Sequence, residues 1–242
     1  MDYVFGVHAV EALLKQRPAD IKKIIVQRGR EDQRMQQLLD AAKRAGVAIA
    51  FAGKNELSEI VDGNHQGIVA ECREPKGLDE SELPKLIENL TTPALILVLD
   101  GVTDPHNLGA CLRSADAAGV HAVIAPKDKS VGLNATVRKV ACGAADVVPF
   151  FAVTNLARTL KQLQEMGVWV FGTAGEAESY LWDNDLTIPA AIVMGAEGKG
   201  MRRLTRECCD YLVKLPMAGE VSSLNVSVAT GIALFEAVRQ RT

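Results

Sequence analysis

The chain is poor in aromatic residues, histidine and pairable cysteine, and it carries no excess of positive charge. Of its 242 residues 5% are aromatic and 48% hydrophobic. The apolar content is therefore mostly Ala, Val, Leu and Ile, which suits layered α/β packing. Four histidines lie scattered, and no metal site is expected from them. The five cysteines (Cys72, Cys111, Cys142, Cys208, Cys209) are odd in number and form no CxxC pair. That argues against a disulfide framework and for a reducing compartment. No apolar run approaches the length that crosses a bilayer, and Met1 is followed at once by Asp2, so a soluble cytoplasmic protein is expected. A net charge of −3 does not by itself advertise a nucleic-acid partner. Basic residues do cluster at Arg28, Arg30 and Arg34, at Lys127 and Lys129, at Arg138 and Lys139, and at Lys199, Arg202, Arg203 and Arg206. One such cluster is usually a solvated face; four leave room for a basic groove assembled in three dimensions.

What is present reads as two α/β units. Up to Glu74 the pattern predicts helices over 7–15, 32–44 and 54–60 and strands over 23–27, 48–52 and 68–70, a small α/β/α domain over residues 1–74. Residues 75–93 hold three prolines, a Lys76-Gly77 break and an acidic run at Asp79, Glu80 and Glu82, and read as a linker. From Ala94 onward, short continuous apolar runs at 94–99, 121–125, 147–151, 168–172, 190–194 and 211–215 alternate with helical stretches at 107–118, 155–166 and 224–239. Strands of that kind are buried on both faces, so residues 94–242 are expected to form a mostly parallel sheet.

In such sheets ligands sit beyond the carboxyl ends of the strands. Three loops there are unusual. The first, Asp100-Gly-Val-Thr-Asp-Pro-His-Asn107, leads into a helix for which Asn107 is a plausible N-cap. Arg113 lies over the small residues Gly109 and Ala110, which would let a bulky ligand approach. The second, Gly195-Ala-Glu-Gly-Lys-Gly200, is neither a P-loop nor a G-x-G-x-x-G turn, which disfavours a nicotinamide site. Glu197 within it favours a neutral or cationic ligand over a phosphate. The third runs from Leu215 to Asn225, with Ser222 and Ser223 as natural caps for the last helix and Asn225 able to donate and accept. Each loop alone fits an ordinary turn; together they can converge on one pocket.

The three loop sequences, with Met-Gly-Ala-Glu-Gly-Lys-Gly and Pro-Met-x4-Ser-Ser-Leu-Asn-Val-Ser quoted for the second and third, resemble the motifs of the SpoU branch of the SPOUT methyltransferases. Phe5-Gly-Val-His-Ala and His65-Gln-Gly-Ile resemble that family's L30e-like substrate-binding domain, so the resemblance spans essentially the whole chain. It implies S-adenosylmethionine as cofactor and transfer of its methyl group to a ribose 2′-hydroxyl, most closely that of a guanosine in large-subunit ribosomal RNA. It implies a homodimer with active sites at the subunit interface. It also implies a trefoil knot, which topology rules alone would disfavour. By the same resemblance Asn107, Arg113, Glu197, Ser223 and Asn225 are the catalytic set. Backbone at Gly195, Leu215 and Leu224 matches the family's cofactor-binding positions, and His65 belongs to its substrate-domain motif; the charge pattern separately makes Arg28, Arg30 and Arg34 candidate phosphate contacts to RNA. The resemblance implies that Arg113 receives or relays the proton, yet a guanidinium is a donor with no acceptor lone pair to offer. Its chemistry suits orienting a phosphate and ribose. The rival readings are a transfer-RNA ribose methyltransferase and a non-catalytic ribosome-assembly RNA-binding protein.

Overall fold

The computed structural model describes residues 2–30, 32–61, 63–73 and 78–242. The chain divides into two compact units, Met1–Lys76 and Gly77–Thr242.

In the first unit the elements run β1 (Asp2–Phe5), α1 (Val7–Gln16), β2 (Ile21–Gln27), α2 (Gln33–Arg44), β3 (Ala48–Ala52), α3 (Lys54–Ile60) and β4 (Ile68–Cys72). Side chains of a strand alternate between faces, and β2 uses both. Ile24 and Val26 pack into a core with Val10, Leu13, Met35 and Leu38 of α1 and α2. Ile25 packs on the other side with Leu57, Val61 and Val69. The sheet order is β1-β4-β2-β3, antiparallel across β4 and parallel between β2 and β3. β1 is not apparent in the sequence because its four residues are too few to show a period.

The second unit begins with α4 (Leu83–Glu88), β5 (Leu95–Asp100), α5 (Pro105–Ala117), β6 (Ala122–Pro126), α6 (Ala135–Ala141), α7 (Ala144–Val147), β7 (Phe150–Val153) and α8 (Leu156–Glu165). It continues with β8 (Trp169–Thr173), β9 (Ser179–Tyr180), β10 (Ala190–Gly195), α9 (Arg203–Glu207), β11 (Tyr211–Lys214) and α10 (Val226–Arg241). Seven strands form one sheet in the order β7-β6-β5-β10-β8-β11-β9, and every pairing in it is parallel. Buried apolar clusters cover both faces: Leu97, Leu99 and Ile192 pack with α5 and α10 on one, Ile96, Val98 and Val193 with α8 on the other. Apolar runs rather than alternation follow from that double burial.

Two expectations need correction. The strand expected over 147–151 starts later, because Val147 ends the turn of α7 and β7 begins only after Pro149. The stretch expected as a linker is, from Leu78 on, part of the second unit. Leu78 bridges to Phe151, Glu80 accepts from the Thr154 backbone at 2.9 Å and from Arg158 at 2.7 Å, and Leu83 is buried beside Leu156 and Leu160. Residues 75–77 lie outside the described residues.

The second unit carries an acid-sensitive contact. His121 Nδ1 accepts from the Leu95 backbone N–H at 3.0 Å while Nε2 lies 3.2 Å from Thr92 Oγ1, an arrangement that needs a neutral ring. Burial, and then Arg241, lower its pKa below the usual histidine value. A histidine held neutral in the fold favours the unfolded chain once that chain begins to protonate. Tm should therefore fall as pH drops through about 6.5, and His121→Asn should flatten that part of the Tm-versus-pH curve.

Candidate active site at the carboxyl ends of the parallel strands

β5, β10 and β11 release the chain on the same edge of the sheet. β5 ends in Asp100, the one charged residue of an apolar strand, and its side chain is fully buried. Its carboxylate accepts from the Arg202 backbone N–H at 2.7 Å and from Arg202 Nε at 2.5 Å, which ties the loop after β5 to the loop after β10. Asp104 then caps α5 by accepting from the His106 N–H at 2.9 Å, with Pro105 at the first helical position. Asn107 is therefore not the cap, as the sequence suggested; it sits inside the first turn with its amide free for other work. Gly109 is small for a different reason than ligand access: a Cβ there would lie 2.6 Å from Val140 Cβ and 2.8 Å from the Val137 carbonyl, so it permits α5 and α6 to touch.

The loop after β10 folds back on itself. Ala196 and Gly200 exchange backbone hydrogen bonds at 3.1 and 2.8 Å. A Cβ on Gly195 would meet the Gly200 carbonyl carbon and the Met201 nitrogen at 2.3 Å, so only glycine fits. In the third loop the cap of α10 is Asn225, which accepts from the Ser227 N–H at 2.9 Å and its hydroxyl at 2.6 Å. Ser222 and Ser223 are exposed loop residues, freed of the capping role expected for them.

One side chain from each loop meets the others. Asn225 Nδ2 donates to Asn107 Oδ1 at 2.9 Å, and Asn107 Nδ2 donates to Glu197 Oε2 at 3.4 Å. The directions are forced. Asn225 spends its oxygen on the helix cap, so its nitrogen faces Asn107, and Asn107 must then turn its own nitrogen to the carboxylate. This chain stands between two cavities that share Ala196, Glu197, Gly200 and Val226. One, of about 310 Å³, is walled by Gly195, Leu215, Leu224, Thr173 and Ser223. The other, of about 530 Å³, contains Asp104, Asn107, Lys129 and Lys199. Asp100, Arg202 and Thr173 escaped the sequence reading as a set. The one available signal was a carboxylate closing an otherwise apolar strand.

Arg113 does not join them within one chain. It is exposed on α5, lines neither cavity, and among the described residues donates to Cys142 Sγ at 3.9 Å. Of the other basic clusters, Arg138 is buried against Asp146 at 2.6 Å, which removes it from any phosphate track. In the first unit Arg28 is exposed and makes no ion pair among the described residues. Arg30 pairs with Asp32 at 2.7 Å, and Arg34 with Glu11 at 3.2 Å and His8 at 2.8 Å. His65 corrects its expectation: it is buried, Nδ1 accepts from the Gly67 N–H at 3.0 Å and Nε2 lies 3.3 Å from Ser58 Oγ. It closes the turn before β4 and presents no ring nitrogen to a ligand.

The profile of the SpoU rRNA Methylase family matches residues 94–235, and that of the RNA 2′-O ribose methyltransferase substrate binding domain matches 3–78. The chain belongs to the SpoU rRNA methylase family. A family member from Pseudomonas putida, named 23S rRNA (guanosine-2′-O-)-methyltransferase RlmB, is 61% identical over 100% of this chain and 97% of its own length. Among solved structures, an RNA 2′-O ribose methyltransferase shares 28% identity at a TM-score of 0.79, covering 99% of this chain and 88% of that one. An AdoMet-bound rRNA methyltransferase from Sinorhizobium meliloti shares 25% identity at 0.78, covering 99% and 87%. The seven-stranded parallel sheet is thus the SpoU fold, as the α/β expectation had it.

Proposed function

We propose that this chain transfers the methyl group of S-adenosylmethionine to the ribose 2′-hydroxyl of a guanosine in 23S-type ribosomal RNA. The observation that carries the reading is the Asn225–Asn107–Glu197 chain, set on the wall between two cavities, in a protein 61% identical to a relative of that name. The smaller cavity fits the cofactor. Met194, Leu215 and Leu224 offer it apolar surface, Gly195 lets backbone approach closely, and Glu197 offers a carboxylate to a cationic ligand. S-adenosylmethionine supplies the activated methyl carbon.

What remains for the protein is alignment, which removes about 7–11 kcal/mol of barrier in well-oriented cases. Asn107 and Asn225 hold the ribose and lock the three loops, Glu197 fixes the Asn107 amide, and the Ser223 hydroxyl borders the cofactor. Arg113 orients the phosphate and ribose, with a phosphate oxygen or water taking the proton.

Arg113 reaches a site through a homodimer in this reading. α10 turns Val226, Ala233, Leu234 and Ala237 to the core, yet Val228, Ile232 and Phe235 on its other side are 50%, 41% and 50% exposed. Such a stripe on a helix supports burial against a second copy. Ser114, next to Arg113, faces Gly231 in the middle of the stripe. Phe235→Asp should convert the dimer to monomer in analytical ultracentrifugation and lower methyl transfer with it.

The same proposal gives residues 1–74 the role of an RNA-binding domain and 94–242 that of catalysis. It places the protein in the cytoplasm with its ribosomal target; no helix among the described residues is long and apolar enough to cross a membrane. It includes the trefoil knot, which rests on membership of the family. The first unit carries eleven basic and eleven acidic residues through Glu74, so it reads RNA by shape, with Arg28, Arg30 and Arg34 on phosphates. Replacing these three arginines by alanine should weaken RNA binding and make its salt dependence shallower, the logarithmic slope falling by about one for each phosphate that is no longer neutralised. An unchanged slope removes them from the interface.

Mapping 2′-O-methyl groups in total RNA with and without the gene tests the whole reading. One guanosine of 23S rRNA should lose its mark. A lost mark in transfer RNA would reassign the substrate, and no lost mark anywhere would leave a non-catalytic RNA-binding protein.

A further inference from the structure

With S-adenosylmethionine assigned to the smaller cavity, the larger one is left for another ligand, and it is a built site. Its floor is the Asp100–Arg202 ion pair, closed at 2.5 Å with the aspartate fully buried. Those two charges satisfy each other. The remaining charges on its wall are Asp104, Glu197, Lys129 and Lys199. Glu197 is engaged by Asn107 at 3.4 Å. Asp104 spends Oδ1 on the α5 cap at 2.9 Å and keeps Oδ2 available. Lys129 and Lys199 make no ion pair among the described residues, so the cavity holds two ammonium groups and a second oxygen on each carboxylate; Glu197 also lines the cofactor cavity, whereas Asp104 lines this one alone.

The geometry points to this cavity as the pocket for the target guanine base, with Asp104 as the residue that selects it. The inference rests on the function proposed above. If the 2′-hydroxyl lies at the shared wall, the base of the same nucleotide lies within one nucleotide's reach of it, and an unstacked loop base can be read by hydrogen bonds to its edge in a neighbouring cavity. About 530 Å³ falls within the range of small-molecule sites. The edge of guanine presents two adjacent donors, N1–H and N2–H, beside the O6 acceptor. A carboxylate oxygen accepts from the donors, and a lysine ammonium donates to O6. Adenine presents an acceptor where guanine has N1–H and would set a lone pair against the carboxylate. Inosine keeps N1–H and O6 but lacks the 2-amino group, so it removes one contact only.

The test uses the full-length protein, S-adenosylmethionine labelled in the methyl group, and an unmodified large-subunit rRNA fragment. The fragment is synthesised with guanosine, inosine or adenosine at the methylated position. Wild type should prefer guanosine to inosine by about ten- to a hundredfold in kcat/KM, the worth of one charge-assisted hydrogen bond, and should leave adenosine unmodified. Asp104→Asn keeps an oxygen for the helix cap but turns an NH2 toward the guanine donors. That variant should bind S-adenosylmethionine as wild type does, fall about ten- to a hundredfold in kcat/KM on guanosine, and methylate guanosine and inosine within about threefold of each other. A variant that retains the wild-type guanosine-to-inosine ratio overturns the assignment while leaving the methyltransferase reading intact. Wild type that methylates none of the fragments sinks that reading, and this inference with it.

Discussion

Gly195→Ala is expected to weaken S-adenosylmethionine binding by at least about tenfold and to lower the stability of the second unit by about 3 kcal/mol. The added carbon would stand 2.3 Å from the Gly200 carbonyl carbon and the Met201 nitrogen. Both obstacles are backbone, so no side-chain rotation relieves the clash. Either β10 shifts within the sheet, where Leu97 and Val98 of β5 hold it in register, or the turn from Ala196 to Gly200 opens and its paired hydrogen bonds break. Opening the turn displaces Ala196, Glu197 and Gly200, three of the four residues that line both cavities. Calorimetric titration with S-adenosylmethionine, alongside thermal unfolding with and without it, measures both effects. Wild-type affinity in the alanine variant would show that the turn plays no part in binding the cofactor.

Arg113→Ala should reduce methyl transfer by about 10²–10³-fold, the usual loss when a charged donor aimed at the reacting centre is removed. S-adenosylmethionine affinity should not change, since Arg113 lines neither cavity. Arg113→Lys separates two roles. A lysine retains the charge but not the planar fork that grips phosphate or carboxylate at two points. If the fork matters, lysine restores only a small part of the missing turnover; near-normal turnover would rule out two-point geometry as essential. Mixing the inactive Arg113→Ala protein with an inactive Asn107→Ala protein adds a readout of the dimer. Activity should return in the mixture if each site draws Arg113 from the partner subunit, and should stay absent if both residues serve the same chain.

Much of this was legible before any coordinates. Continuous apolar runs at 94–99 and 190–194 read as strands covered on both sides, and a parallel sheet releases its chain on one edge, so three polar loops there can converge. Boundaries, caps and partners were not legible. Asp104, Asn107, Ser223 and Asn225 all have side chains able to cap a helix; which ones do so depends on where the chain enters, and Pro105 moved the start of α5 two residues upstream of Asn107. The Asp100–Arg202 pair spans 102 positions, a distance over which sequence carries no local period.

The amino-acid sequence alone determined the layered α/β architecture and the presence of a ligand site at the strand ends, because burial and strand polarity follow from local pattern. Only the tertiary structure decided which side chains meet. It buried His65 in a turn, spent Arg138 on Asp146, left Arg113 outside the cavities of its own chain, and set Asp104 and two lysines around a second cavity. Pairings between residues far apart in the chain depend on how whole elements pack, and no single stretch of sequence records that.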